Sequence, residues 1–285
     1  MKTLKFISKL FTGLGFCLIS FSVHAQKIMP TPQSQNQGLK DFMDVPAVLA
    51  NYFGNKKSNY KEETVFNIDE SFKAYTQDQQ QFYTIQKILD FTSGTKPEKL
   101  VAITIFTRDD DFNSSPAEKK KINVQNSHAS GPSLQYGIYR SDGKYWFLVK
   151  KSSKKFNDDH ENFGSYGYPE DIDIISYGKG HYALVENTGD YAQGIAVQGI
   201  NYLDVFSEKK VLGLSAETSG YTINGKNDFS FDYTATPIPS DNEYYDLAVK
   251  FSGTHLDSSR KKVIPYNKTV IYVFDTVKGK YILKE

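Results

Sequence analysis

Two carboxylates one residue apart are the first place to look for chemistry. In Glu170-Asp171-Ile172-Asp173-Ile174-Ile175, an extended chain puts Asp171 and Asp173 on one face and Ile172 and Ile174 on the other. Carboxylates that share a face can divide acid and base roles across a glycosidic bond. A glycan-active hydrolase using Asp171 or Asp173 is therefore one expectation. The same alternation also describes the wet face of an ordinary amphipathic strand.

Nucleophile motifs are incomplete. Gly164-Ser165-Tyr166-Gly167 lacks the glycine two positions before the serine, because Phe163 stands there, so the strained elbow of a serine hydrolase is missing. Ser93-Gly94-Thr95-Lys96 and Ser240-Asp241-Asn242 match two boxes of penicillin-recognising enzymes, but no Lys-Thr-Gly follows. Ser58, Ser152 and Ser207 also stand three before a lysine, so chance explains the pair.

Metal ligands are scattered. His128, His160, His181 and His255 include no two at helical or strand spacing, and there is no His-Glu-x-x-His. Asp158-Asp159-His160-Glu161 is a loop cluster that offers ligands to a cation, with a solvated polar loop as the alternative, and Asp109-Asp110-Asp111 lacks the register that wraps a calcium ion. No glycine-rich phosphate loop follows a strand and opens a helix. The sequence nominates no metal and no cofactor.

Recognition chemistry is better represented. Gly164-Ser165-Tyr166-Gly167-Tyr168-Pro169 and Asn187-Thr188-Gly189-Asp190-Tyr191-Ala192 read as loops that expose tyrosines among small polar residues. That composition suits rigid yet adaptable contacts. Tyr166, Tyr168, Asp190 and Tyr191 are the candidate partner-binding residues, with an envelope protein or a glycan as the partner. Tyrosines folded back on the core are the alternative.

The elements that must position these residues are strands. Between Ile174 and Leu214, Tyr182 and Leu184 fall on one side of a pleat and Ala183 and Val185 on the other, as expected of a strand covered on both faces. Asn187 to Asp190 is expected as a turn, Gly199 as a bulge, and Ser207-Glu208-Lys209-Lys210 as a second turn. Further strands are expected at Thr64–Ile68, Phe82–Phe91, Leu100–Thr107, Leu134–Tyr139, Lys144–Lys150, Asp228–Ala235, Asp246–Ser252, Thr269–Asp275 and Lys280–Leu283. Thr92 to Pro97 reads as a long hairpin loop. The hairpins at Ser141-Asp142-Gly143 and Lys278-Gly279 both continue into Gly-Lys-Tyr, which raises the question of a duplicated unit. A short amphipathic helix is expected over Leu39–Phe53, where Phe42, Val45, Val48, Leu49, Tyr52 and Phe53 recur at three and four residue intervals. The fold class is mainly β: antiparallel meander sheets, sandwich-like or propeller-like, with a short N-terminal helix.

Composition bounds the rest. Lys2, Lys5 and Lys9 followed by the apolar run Leu10 to Val23 and Val23-His24-Ala25 have the layout of a bacterial leader cleaved before Gln26. Residues 1–25 are expected as signal peptide, 26–38 as a disordered tether and 39–285 as a β-rich domain, with a subdomain boundary allowed within 108–133. The mature chain would then be periplasmic or secreted, with no stable membrane insertion once the leader is gone. Cys17 follows the bulky Phe16, which does not suit lipidation, and the remainder has no cysteine and so no disulfide. Of 34 basic residues, three leave with the leader, and 31 against 33 acidic residues give about −2. That balance argues against a nucleic-acid binder. The expected function is a non-enzymatic exported protein that binds another macromolecule, as an inhibitor or immunity-type partner does. The glycan hydrolase and a structural envelope protein without a dedicated site are the alternatives.

Overall fold

The computed structural model describes residues 38–67, 70–109, 121–124, 132–153, 172–192, 195–221, 225 and 228–284. Among these, one α-helix, α1 (Val45–Phe53), precedes the strands. Asp44 caps it by accepting from the Ala47 N–H, Pro46 sits in the first turn where its missing N–H costs nothing, and Gly54 ends it in the left-handed conformation. Leu39 to Met43 lie outside the helix, which is shorter than the periodicity predicts. Leu39 instead exchanges backbone hydrogen bonds with Trp146, and Phe42 packs on Tyr139 and Trp146. Their spacing reflects burial in one core without helical backbone.

The strands are β1 (Lys61–Asn67), β2 (Glu70–Thr76), β3 (Gln81–Ser93), β4 (Lys96–Thr107), β5 (Ile122–Asn123), β6 (Ser133–Ser141) and β7 (Trp146–Lys151) in one sheet. A second sheet holds β8 (Ile172–Gly178), β9 (His181–Ala192), β10 (Ile195–Asp204), β11 (Lys210–Tyr221), β12 (Asp228–Ile238), β13 (Asp246–Leu256), β14 (Val263–Pro265), β15 (Lys268–Asp275) and β16 (Lys280–Leu283). The first sheet is ordered β5-β1-β2-β3-β4-β6-β7, with only the β1–β5 pair parallel. In the second the order is β16-β15-β13-β12-β11-β10-β9-β8, with β14 beside β13 and every pair antiparallel. Spatial order follows chain order almost throughout, as in a meander. β4 and β6, which flank the connection at 108–132, pair directly.

Four layers result. Helix α1 places Val48, Leu49 and Tyr52 against Tyr83, Val101, Ile103 and Tyr139 on one face of the first sheet. Leu89, Leu100, Ala102, Leu134 and Ile138 on its other face meet Ile172, Leu184, Leu203 and Val205. The opposite face of the β8–β11 layer sends Ala183, Ile200, Tyr202 and Leu212 into a third core with Phe229, Phe231, Tyr233, Leu247 and Val249. Strands β9 and β10 are therefore apolar on both faces because they are covered on both. Each fully buried Leu, Ile or Phe contributes about 1.5–3 kcal/mol, and these stacked cores hold the sheets together without disulfides.

Within the second sheet β11 and β12 pair over only three positions, Ser219–Tyr221 with Asp228–Ser230, and then part. Beyond that corner the β12–β16 half lies over the β8–β11 half. Side chains bond across the two halves: Tyr202 donates to the Ala235 carbonyl at 2.7 Å and Tyr233 to the Gln198 carbonyl at 2.8 Å. At the far end, Tyr281 on β16 donates to the carbonyl of Tyr177 on β8, while β16 also touches β11. The sheet is not a closed barrel.

Three local expectations are corrected. Asn187–Asp190 is not a turn but part of β9, paired continuously with Ile200–Val197 of β10. Gly199 is in regular register, and the bulges of the β10–β11 pair fall between Ala196 and Val197 and between Tyr202 and Leu203. The β3–β4 hairpin turns through two residues, with Gly94 at φ 65°, where a longer loop was expected. The two Gly-Lys-Tyr segments also occupy different places in their hairpins. Tyr145 precedes β7 and donates its N–H to the Asp142 carboxylate, whereas Tyr281 is buried within β16.

Candidate functional site

Of the residues the sequence nominates, Tyr166, Tyr168 and Asp171 lie outside the described residues, as do His128 and His160. Asp190 and Tyr191 stand near the end of β9, opposite Val197 and Ala196, with side chains outside the described ones. Asp173 is exposed on β8, its Oδ1 accepts from the Ile174 N–H at 2.8 Å, and its cross-strand neighbour is Val185. No second described carboxylate is paired with it across the strands. Ser93 ends β3 in the first sheet and Ser240 follows β12 in the second.

The buried polar groups mostly fasten layers. Tyr136, wholly buried on β6, donates to the Val205 carbonyl at 2.9 Å, and burial followed by the nearby Glu208 and Asp204 charges raises its pKa. Asp204 accepts from Tyr177 at 2.8 Å and from the N–H groups of Phe206 and Ser207, which shapes the β10–β11 turn. Glu208 in that turn bonds Lys150 of the first sheet and Ser153 just past the end of β7. Burial opposes its ionisation, but those bonds prevail and hold its pKa below the usual value. Glu98 on β4 has no exposed side-chain surface: Arg140 donates to Oε1 from both Nε and Nη2, and Oε2 has no hydrogen-bond partner among the described residues. Burial raises its pKa against the pull of Arg140.

A different arrangement stands at one end of the second sheet. Gly253 interrupts β13 at φ 139°, with Ser230 and Phe231 so close that a β-carbon would collide with their backbone. Before the kink, Leu247–Phe251 pairs with β15; after it, Thr254–Leu256 pairs with β14. The link between β14 and β15 is tied back at the kink, with the Tyr266 N–H on the Gly253 carbonyl and the Gly253 N–H on Asn267 Oδ1. The β13–β14 connection is shaped by Asp257, which accepts from the N–H groups of Lys261 and Lys262 and from Ser259, so its pKa falls.

This backbone collects rings. Tyr266 lies 5.0 Å from Phe231, 5.2 Å from Phe251 and 5.0 Å from His255, centroid to centroid, and Phe251 stacks on Tyr233 at 5.6 Å. Phe231 and Tyr233 are buried, while Phe251, His255 and Tyr266 are half-buried. Lys268, directly opposite Phe251 in the β13–β15 register, holds its Nζ 4.8 Å from the Tyr266 ring centre and 5.3 Å from that of Phe251. Both distances lie inside the range in which a ring face attracts a cation. Sequence reasoning missed this group because its members are 15 and 2 residues apart along the chain, and only the strand register reveals the cradle.

Among the described residues no His, Cys, Asp and Glu group has the layout of a metal centre, and no helix is long and apolar enough to cross a membrane. The chain matches no protein-family model, no curated protein and no solved structure.

Proposed function

We propose that the chain is an exported, non-enzymatic binding protein, acting on an envelope partner as an inhibitor or immunity-type protein does. The observation that carries this reading is the set of half-buried rings at one end of the second sheet, Phe251 and His255 on β13 and Tyr266 in the β14–β15 link tied back to Gly253. Aromatic side chains that are already ordered and partly exposed supply contact area at little entropic cost, as recognition surfaces require. The leader-like start of the chain supports export.

Affinity capture from envelope extract with the protein beginning at Gln26 tests it. Tyr266→Ser, verified as folded by circular dichroism, is expected to lose the partner that the native protein retains. A second variant with Tyr166, Tyr168 and Tyr191 replaced by serine asks whether the segments nominated by the sequence share the contact. Retention of the same partner by Tyr266→Ser would remove this face from the account.

A further inference from the structure

We propose that the Phe251–Tyr266 cradle is a binding site for an organic cation, a quaternary ammonium of the choline type, and that Lys268 fills it when no ligand is bound. The inference rests on the reading of this face as a recognition surface and names the chemistry recognised. The two rings direct their negative faces at one point, marked by the Lys268 ammonium. They are pre-set, since Tyr233 backs Phe251, and Phe231 and His255 back Tyr266. A ligand therefore pays little to order them.

The present occupant is replaceable. Lys99 offers the comparison: it also sits over two rings, 5.0 Å from Trp146 and 6.0 Å from Phe42, but an ion pair with Asp90 fixes it and its side chain is only 21% exposed. Lys268 is exposed and has no carboxylate partner among the described residues. A primary ammonium is compact and strongly hydrated, so it gives up water reluctantly to lie on a ring. A quaternary ammonium carries no N–H donors and sheds water more easily, which is why aromatic cages select it.

The test is a titration of wild type, Lys268→Ala and Lys268→Ala/Tyr266→Ala with choline chloride, followed by NMR. Saturable shifts centred on residues 251, 255 and 266 are expected in Lys268→Ala. The wild type should bind roughly tenfold more weakly, because its site is free only part of the time. The double variant should show none, and ammonium chloride should produce none in any protein. Absence of saturable shifts in Lys268→Ala, or their persistence without Tyr266, overturns the proposal. Phosphatidylcholine vesicles that sediment Lys268→Ala support it with a lipid headgroup as source, and choline binding without sedimentation supports it with a soluble source. Loss of capture by Tyr266→Ser together with failure of choline would remove the ligand class and leave the binding face standing.

Discussion

The hydroxyl of Tyr202 on β10 donates to the carbonyl of Ala235 on β12, across a fork where β11 and β12 have stopped pairing. Tyr233 returns the favour to Gln198. Burial raises the pKa of both phenols, that of Tyr233 to about 12, so both remain donors over the physiological range. Tyr202→Phe and Tyr233→Phe should each cost about 0.5–1.5 kcal/mol, the net worth of one such hydrogen bond. Urea unfolding measures this. Losses within a few tenths of a kcal/mol would mean that water replaces the hydroxyls.

Gly178 is required for a close approach. A β-carbon there would overlap the Glu243 carbonyl oxygen, which accepts from the Lys179 N–H in the contact joining β8 to the connection before β13. Gly178→Ala should destabilise by about 1–3 kcal/mol. Hydrogen exchange should quicken first at the amides of Lys179 and Tyr245, whose bonds span the contact. Acceleration spread evenly over the protein would count against a local seam.

Glu98 gives a pH dependence whose sign is fixed. Burial raises the pKa of its carboxyl in the folded protein, so the folded state binds that proton more tightly than the unfolded state does. Its contribution to stability is therefore complete below the ordinary glutamate pKa and declines as pH rises through the raised value. Glu98→Gln cannot titrate. Relative to wild type, the variant should gain stability as pH goes from about 4 to 7. A difference independent of pH would contradict the assignment.

Lys150 and Glu208 clamp the first sheet to the second, with Glu208 only 11% exposed. Lys150→Ala should cost more than Lys150→Ala adds in a Glu208→Ala background, with a coupling of about 1–3 kcal/mol in a double-mutant cycle. Additive losses would show that the pair does not join the layers.

The middle layer was legible in the sequence because burial writes itself into alternation. Tyr182, Ala183, Leu184 and Val185 are apolar on both parities, and β9 is covered on both faces, with Leu184 in one core and Ala183 in another. Residue type misled where pairing outweighs local preference. Asn187, Gly189 and Asp190 favour turns, yet the register that runs from Ala192–Ile195 to Ala183–Asp204 leaves them no room to turn. The cradle was illegible for a related reason. Lys268 meets Phe251 only because β13 and β15 align at that register, and Tyr266 joins them only because Gly253 kinks β13.

The most direct measurement is photo-crosslinking in envelope extract with p-benzoylphenylalanine at position 266, set against the same probe at position 277. Val277 is 95% exposed at the β15–β16 turn, the opposite end of β15 from Lys268. A partner labelled from 266 and not from 277 is the predicted result. Equal labelling from both positions, or labelling from 277 alone, would contradict a recognition site built on Tyr266.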